Sequence, residues 1–432
     1  MTNTNDMLER RRKLLGSAYR LFYEDPVHLV RGEGVWLYDA DGRKYLDMYN
    51  NVPHVGHCHP QVVEAICKQA ATLNTHTRYL HDNVLDYAER LTGKFPDELD
   101  TAMFCCTGSE ANELALRIAR VATGGTGVIV TDFAYHGNTK ATFEISTSDM
   151  PEDEIPDHVV TVPFPDTYRG PYLGDDAAGK YAAHVHEAID LLQSRGIKPA
   201  AFVVDTIISS SGVVSPPPAY LSTVADIVRD AGVLFVADEV QPGFGRTGTH
   251  FWGFESDGFV PDIVTLGKPM GNGHPIAGVV TRRSLIEDFS DRGRYFNTFG
   301  GNPVSCAAAL AVLDVIENDG LQQNALDVGS HIIDGLGQLA DSHECIGNIR
   351  GSGLFLALEL VSDKANRTPA RELTHRVVND LRQRGVLTGS IGPDANILKL
   401  RPPLVLSRDD ADYLLTKLDE SLSSCVGGSL FS

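Results

Sequence analysis

Residues 233–248 read VLFVADEVQPGFGRTG, an apolar run that ends at two adjacent carboxylates, Asp238 and Glu239. A short apolar run bounded by turn residues is typical of a strand that is buried on both faces. Four similar runs occur at residues 127–131, 201–208, 263–266 and 277–281, and helical periodicity occurs at residues 110–122, 179–195 and 218–231. This alternation of strand-like and helical segments predicts an α/β domain with a mostly parallel sheet.

The two ends of the chain differ from this central region. VWLYD at residues 35–39 predicts a separate N-terminal β element. A long helix is expected at residues 303–318, followed by a C-terminal α/β region with strands near 353–360 and 397–401. Residues 150–178 are rich in Pro, Asp and Gly, and we interpret them as a surface excursion.

Composition restricts the possible partners. A chain of 432 residues with 42% hydrophobic content has enough core for two or three domains. Its net charge of -20 argues against nucleic acid as a partner, although a local pocket can still bind a small anion. We find neither a membrane-spanning apolar run nor a secretory signal, so we expect no membrane association and a cytoplasmic location.

The cysteines and histidines do not follow a metal-binding pattern. The seven cysteines are odd in number and contain no CxxC pair, so we interpret them as reduced thiols. His54, His57 and His59 cluster in HVGHCH, but Gly56 and Pro60 indicate an irregular loop. We therefore favour a structural or substrate-pocket role for these histidines, and we predict no metal site.

Polar side chains stand where three of the predicted strands end. Ligands of open α/β sheets bind at the carboxyl ends of the strands, which draws attention to Asp205, Asp238 and Lys268. Taken alone, Asp238 is an ordinary helix cap and Lys268 an ordinary surface-loop residue. The alternative is that Lys268, held between Gly267 and Pro269, is a chemically active amine.

Other segments supply groups that a binding site around an active Lys268 would need. Gly108 and Ser109 precede a helix that we expect to begin near Glu110, and free amides at a helix start bind phosphate. Tyr135 offers an aromatic face, and the period of two places Val240 on the same side of the chain as Asp238.

Together these parts describe a site for pyridoxal 5'-phosphate. Lys268 would form the Schiff base to the cofactor aldehyde. Asp238 would keep the pyridine nitrogen protonated, so that the ring accepts electrons from the substrate. Gly108 and Ser109 would hold the phosphate, and Gln241 would hydrogen-bond the ring hydroxyl.

The chain resembles the class III aminotransferases, a branch of the fold-type I pyridoxal phosphate enzymes. The resemblance rests on blocks in family order, namely YLDMYNNVPHVGHCHP, TGSEANELALRIAR, AYHG, VADEVQPGFGRTG, LGKPMGNGHP, YFNTFGGNPVSCAAALAVLDVIE and RGSGLFLALEL. It implies a large domain with a mostly parallel, seven-stranded sheet at residues 61–310. It also implies a smaller α+β domain built from both chain ends, at residues 1–60 and 311–432.

The same resemblance implies roles for individual residues. Lys268 is the Schiff-base lysine, Asp238 the pyridinium partner, and Tyr135 and Val240 the two faces that enclose the ring. Thr298 is a phosphate ligand that the neighbouring subunit donates. The protein is therefore expected to be a homodimer or tetramer with shared active sites.

Within this family, the chain is most similar to the ethanolamine-phosphate and phosphohydroxylysine phospho-lyases. Lys399 in KLRPP stands where transaminases that bind an α-carboxylate usually carry arginine, although Arg401 is close enough in sequence to substitute. VVDTIISSSG replaces the usual Glu-Pro and Gly-Glu pairs. The resemblance thus implies elimination of phosphate from an amino-phosphate, such as O-phosphoethanolamine or 5-phosphohydroxylysine.

Two other functions are compatible with these residues. The first is an amine or amino-acid aminotransferase with a keto-acid acceptor, and the second is a protein that kept the fold without catalysis. A phospho-lyase needs polar groups and cations for the leaving phosphate. The candidates in family segments are Arg20, Asn51, Arg78 and Lys399, and a surface salt bridge is the alternative for each cation.

Overall fold

The computed structural model describes residues 4–427. The strands are β1 (Leu29–Glu33), β2 (Trp36–Asp39), β3 (Lys44–Asp47), β4 (Thr101–Cys105), β5 (Gly127–Thr131), β6 (Val159–Val162), β7 (Pro199–Asp205), β8 (Leu234–Asp238), β9 (Ile263–Leu266), β10 (Ala277–Thr281), β11 (Ile346–Ser352), β12 (Phe355–Asp363), β13 (Thr368–Pro369), β14 (Val386–Leu387), β15 (Gly389–Ile391) and β16 (Ile397–Leu400). The helices are α1 (Thr4–Leu15), α2 (Pro60–Thr72), α3 (Asp82–Thr92), α4 (Gly108–Thr123), α5 (Lys140–Phe143), α6 (Ala177–Ser194), α7 (Tyr220–Asp230), α8 (Arg283–Asp291), α9 (Pro303–Asn318), α10 (Leu321–Ser342), α11 (Arg371–Gln383) and α12 (Arg408–Gly427). No helix within these residues is long and apolar enough to cross a membrane.

A seven-stranded sheet forms the centre of the fold, with the order β4-β10-β9-β8-β7-β5-β6. The five strands from β9 to β6 are parallel, whereas β10 runs antiparallel to both of its neighbours. The prediction of a mostly parallel α/β sheet is therefore confirmed. The interpretation of residues 150–178 as a surface excursion is wrong at β6, because Val159–Val162 pairs with β5 at the edge of this sheet.

The register of the parallel strands places the predicted polar residues at one edge. Asp205 pairs with Asp238, and Asp238 pairs with Thr265 on β9. The strands themselves are almost fully buried, as expected for a parallel sheet that is covered on both faces. The carboxylates of β7 and β8 and the chain leading to Lys268 therefore meet at the carboxyl edge of the sheet.

Two smaller sheets complete the fold. One has the order β1-β2-β3-β14 and contains segments from both ends of the chain. The other contains β11, β12, β16 and β15, with β13 paired to β12. These two sheets are consistent with a small α+β unit built from both ends of the chain. The domain boundaries 1–60, 61–310 and 311–432 stay our proposal.

Glu239 holds in place the segment that directly follows β8, at the carboxyl edge of the large sheet. Its carboxylate is fully buried and accepts hydrogen bonds from Thr206 Oγ1 at 2.8 Å, Gly253 N at 2.7 Å and Phe254 N at 2.9 Å. Burial raises the pKa of Glu239 from 4.5 to about 8, in spite of the hydrogen bonds that favour the ionised form. Glu239 thus connects its own segment to Thr206 and to the turn at Gly253 and Phe254.

This raised pKa predicts a pH dependence of stability. Between about pH 5 and 8 the folded chain keeps a proton on Glu239 that the unfolded chain has lost, so the contribution of Glu239 to the free energy of unfolding falls as the pH rises. We expect the Glu239→Gln variant to lose this decline, as measured by urea unfolding at several pH values. Glu255→Gln, on the neighbouring turn, is the control. Wild-type and Glu239→Gln curves that run parallel from pH 5 to 8 would contradict the prediction.

Candidate active site

A cavity opens at the carboxyl edge of the large sheet, with a volume of about 290 Å³. Seven of the eight residues that we predicted to bind the cofactor line it, namely Gly108, Ser109, Tyr135, Asp238, Val240, Gln241 and Lys268. The eighth, Thr298, is exposed on the surface of the chain. The cavity therefore brings together residues from four separate parts of the sequence.

Lys268 occupies the wall of this cavity. It follows β9 and begins a short 3₁₀ helix, Lys268–Gly271, whose second residue is Pro269. Burial, followed by the charge of Arg401, lowers the pKa of the Lys268 amine. Within residues 4–427 the amine has no hydrogen-bond or ion-pair partner. The cavity wall thus holds an amine that gives up its proton more easily than an exposed lysine does.

Asp238 is the buried carboxylate opposite this amine. Its Oδ2 atom accepts hydrogen bonds from Asn112 Nδ2 at 2.8 Å and His136 Nδ1 at 2.7 Å, and its Oδ1 atom accepts one from Val240 N at 3.1 Å. Burial alone raises the pKa of Asp238, but His136 and Asn112 outweigh it, so the pKa lies below its usual value. The carboxylate is ionised and retains one lone pair of Oδ1 for a ligand.

The two residues that hold Asp238 were not predicted from the sequence. Asn112 lies on the buried face of α4, where Thr265 Oγ1 donates to its amide oxygen at 2.7 Å. This contact fixes the amide so that its NH₂ group points to Asp238. His136 directly follows Tyr135 in the AYHG block, and that adjacency was the available signal. Both contacts orient the carboxylate towards the cavity.

The first residues of α4 lie where we predicted that an anion would bind. The helix begins at Gly108, two residues before the expected start, because Thr107 is the N-cap and Glu110 completes a capping box with it. A Cβ atom on Gly108 would lie 3.2 Å from Val240 Cγ2, so glycine keeps this approach open. Gly108 and Ser109 therefore line the cavity at the positive end of a 16-residue helix, where the first amides have no partner within the helix.

Gln241 separates the cavity from a group of buried cations. Its Oε1 atom accepts hydrogen bonds from Arg401 at 2.7 Å and Lys399 Nζ at 3.4 Å, and from Asn51 Nδ2 at 3.4 Å. Asn51 and Lys399, which we predicted to contact substrate, thus lie directly behind a cavity residue. Arg401, considered only as a substitute for Lys399, makes the shortest of these contacts.

Comparison with known proteins supports the interpretation of this site. Residues 22–422 match the family described as Aminotransferase class-III. The chain belongs to the class III aminotransferases. Enzymes of this family bind pyridoxal 5'-phosphate, which is the cofactor of this chain.

Three class III relatives differ in their assigned activities. An alanine–glyoxylate aminotransferase 2-like protein of Drosophila melanogaster is 44% identical over 99% of this chain and 89% of its own length. Ethanolamine-phosphate phospho-lyase homolog 1 of Caenorhabditis elegans is 41% identical over 97% of this chain and 93% of its own length. A solved phospholyase from Arthrobacter, in complex with phosphoethanolamine, is 45% identical, covers 97% of this chain and all of its own, and superposes with a TM-score of 0.93.

The residues present fit the class III cofactor. The helix start at Gly108 suits the cofactor phosphate, the free Oδ1 lone pair of Asp238 suits the pyridine nitrogen, and the unpartnered amine of Lys268 suits the aldehyde. When bound, the cofactor supplies an electron sink for the charge that develops beside the substrate nitrogen. Tyr135 and Val240 both line the cavity and complete this set.

Three predicted residues are exposed on the surface and do not line the cavity. Arg20, Arg78 and Thr298 are exposed, and the Arg78 guanidinium lies 3.9 Å from the centre of the Phe296 ring. Neither Arg78 nor Thr298 lines the cavity of its own chain, so a role for them in a shared site stays a prediction.

The histidine cluster has structural partners instead of a shared ligand. His54 is fully buried, with Nε2 2.7 Å from the carbonyl oxygen of Phe244 and Nδ1 3.0 Å from Arg246. His57 Nε2 lies 2.7 Å from Asp47 Oδ2. These contacts favour the structural role over a substrate-pocket role, because both rings are used to hold neighbouring segments in place.

Proposed function

We propose that the chain is a pyridoxal phosphate-dependent phospho-lyase that eliminates phosphate from a small amino-phosphate, such as O-phosphoethanolamine or 5-phosphohydroxylysine. The observation that carries this proposal is a pair of buried cations that form no ion pair with any described carboxylate, although the charge of Asp205 reaches Lys399 and that of Asp47 reaches Arg401. Lys399 and Arg401 are 3% and 9% exposed, and within the described residues neither forms an ion pair. Buried charges are normally paired, so this pair favours an anionic ligand.

The surroundings of the two cations support this argument. Burial lowers the pKa of Lys399 well below its usual value, and it also lowers that of Arg401. The Arg401 guanidinium lies 4.4 Å from the centre of the Tyr49 ring, which compensates only part of its lost hydration. A phosphate with two negative charges would stabilise both cations. The 45% identical phospholyase that was solved with phosphoethanolamine supports the same substrate class.

Each residue has a defined task in this reaction. Lys268, which loses its proton readily, accepts the proton from the substrate carbon that bears nitrogen. Asp238 stays ionised and holds the proton of the cofactor ring nitrogen in place. Arg401 and Lys399 stabilise the negative charge of the departing phosphate, with Gln241 between them and the cavity. For O-phosphoethanolamine and one water, the products are acetaldehyde, ammonia and inorganic phosphate.

The test is to incubate the holoenzyme with O-phosphoethanolamine in the absence of any keto acid. We expect phosphate and ammonia to appear in equal amounts. A second arm contains pyruvate or glyoxylate together with an amine that carries no phosphate. Turnover only in that second arm would refute the phospho-lyase proposal.

The second candidate function is an aminotransferase with a keto-acid acceptor. The observation in its favour is the 44% identity to the alanine–glyoxylate aminotransferase 2-like protein, which is as high as the identity to the phospho-lyases. Its substrate carboxylate would also be attracted to Arg401 and Lys399. The requirement for an acceptor in the assay distinguishes the two functions.

Removal of one buried cation should weaken substrate binding. Lys399→Met keeps the side-chain volume and removes a charge that is costly to bury, so the variant should still fold. We expect the KM for O-phosphoethanolamine to rise about 10- to 100-fold, as for the loss of a charged hydrogen bond. Lys417→Met, on α12, is the control and should not change KM. An unchanged KM in Lys399→Met would argue against this role for Lys399.

We also propose a homodimer or tetramer with shared active sites. Support comes from exposed apolar side chains around Arg78 and Thr298. Their exposed fractions are 66% for Tyr79, 95% for Leu80, 59% for Leu85, 43% for Phe296 and 67% for Phe299. Clustered exposed apolar groups are typical of an interface. A second copy of the chain is the expected occupant, because Thr298 and Arg78 would then face the partner's site.

Charged substitutions in this cluster test the proposed dimer. The double variant Leu80→Asp with Phe299→Asp is expected to shift the mass in light scattering from that of a dimer to that of a monomer, because it would bury two unpaired carboxylates. Leu173→Asp with Leu191→Asp, at positions that are 49% and 41% exposed, is the matched control. A wild-type monomer, or a dimer that tolerates the first pair, would contradict the proposal.

A further inference from the structure

Ser209 contacts three groups at the base of the cofactor cavity. It follows β7 and is fully buried. Its backbone N–H donates to Asp205 Oδ2 at 3.1 Å, and its carbonyl oxygen accepts a hydrogen bond from Lys399 Nζ at 3.3 Å. Its hydroxyl oxygen accepts a hydrogen bond from Gln241 Nε2. Ser209 thus contacts Asp205, Lys399 and Gln241.

The partners of Gln241 determine the direction of its amide group. The oxygen faces Arg401 and Lys399, since the NH₂ group would be repelled by two cations. One N–H donates to Ser209, and within residues 4–427 the other N–H has no partner, which leaves it for a ligand in the cavity that Gln241 lines. Two cations that donate to the same oxygen polarise the amide and strengthen its N–H groups as donors.

The turn that carries Ser209 is itself held in place. Arg350 Nε donates to the carbonyl oxygens of Gly212 at 3.0 Å and Val213 at 3.2 Å, and its NH1 group pairs with Glu359 at 2.6 Å. Ile208 and Val213 have φ values of 45° and 54°, in the left-handed region that costs energy for branched side chains. The backbone that carries Ser209 is therefore held by contacts within the chain that do not depend on a ligand.

We propose that Ser209 is a positioning residue that holds the side-chain amide of Gln241. In this orientation the remaining N–H of Gln241 donates to the ring oxygen of bound pyridoxal phosphate. Arg401 and Lys399 then act on that ring oxygen by polarising the Gln241 amide. The inference is independent of the choice between phospho-lyase and aminotransferase, because both use the same cofactor. The proposal gives a role to the turn ISSSG at residues 208–212, where this chain departs from the usual family pattern.

The test is the absorbance of the bound cofactor in the Ser209→Ala holoenzyme, titrated with pH. A cation-polarised donor stabilises the deprotonated, more negative form of the bound cofactor. Its loss should therefore move the midpoint of the titration upwards, by roughly half a pH unit for one weakened hydrogen bond. The dissociation constant of pyridoxal phosphate should rise about threefold to tenfold.

Ser211→Ala is the matched control for this variant. Ser211 lies on the same turn and is 2% exposed, but its hydroxyl donates to the carbonyl oxygens of Asp132 and Phe133 and not to Gln241. We expect Ser211→Ala to leave the midpoint unchanged. Ser209→Ala should also have no further effect in a Gln241→Ala background. An equal shift in both serine variants, no shift in Ser209→Ala, or a full shift in the Gln241→Ala background would overturn the proposal.

Discussion

Replacement of Lys268 by alanine is expected to lower turnover by at least about 10³-fold, the largest effect of any single substitution in this chain. The variant loses both the amine that reacts with the cofactor and the base beside the substrate carbon. Because the amine has no protein partner among the described residues, its removal should not destabilise the fold. Steady-state phosphate and ammonia release, together with the absorbance of the purified protein, measure the two losses.

Lys268→Arg separates the covalent role of Lys268 from its charge. Arginine keeps a positive charge near Asp238 but is too weak a base to lose its proton. We expect Lys268→Arg to be as inactive as Lys268→Ala, and neither protein to show the absorbance of the covalently bound cofactor. Substantial activity in the arginine variant would mean that Lys268 contributes only charge.

The second large effect is expected for Asp238→Asn, with a loss of about 10²- to 10³-fold in kcat. Asn112 and His136 both donate to Oδ2, so the carbonyl oxygen of an asparagine would face them. Its NH₂ group would then replace Oδ1, lose the hydrogen bond from Val240 N, and present a donor to the ring nitrogen, which would no longer retain its proton. We therefore expect a weaker affinity for pyridoxal phosphate and an altered cofactor spectrum.

Asp262→Asn is the control for this substitution. Asp262 is 7% exposed and lies near the start of β9, where it accepts a hydrogen bond from Phe235 N at 2.9 Å and pairs with Arg282 at 2.7 Å. Its replacement should lower stability without changing kcat or the spectrum. If Asp238→Asn lowered kcat no more than Asp262→Asn does, the assigned role of Asp238 would be wrong.

The buried strands were the part of the fold that the sequence predicted well. β8 and β9 are continuous apolar runs that end at a turn, and α9 matches its predicted bounds. β6 was missed because it has four residues and lies within a polar stretch, so no periodicity marks it. The start of α4 was placed too late because Thr107, the actual N-cap, was not recognised as one.

Site residues were predictable when they followed strand ends, and less so when they depended on packing. Asp238 and Lys268 were found from the general rule for open α/β sheets. Asn112 and His136 contact Asp238 across 126 and 102 residues of sequence, and their own segments carry no sign of that contact. The placement of Lys399 behind Gln241 depends on how β16 lies against the large sheet, which no local pattern specifies.

The pairing of β14 with β3 has a consequence for the newly made chain. Val386 lies opposite Leu46, so the sheet that contains β1, β2 and β3 stays incomplete until β14, much later in the chain, has been made. At roughly 5–20 residues per second, the delay is about 20 s or longer. Arg401 and Lys399 leave the ribosome later still. The large sheet can therefore form with its carboxyl edge open, and the two cations behind Gln241 reach the site only after residue 401 has been made.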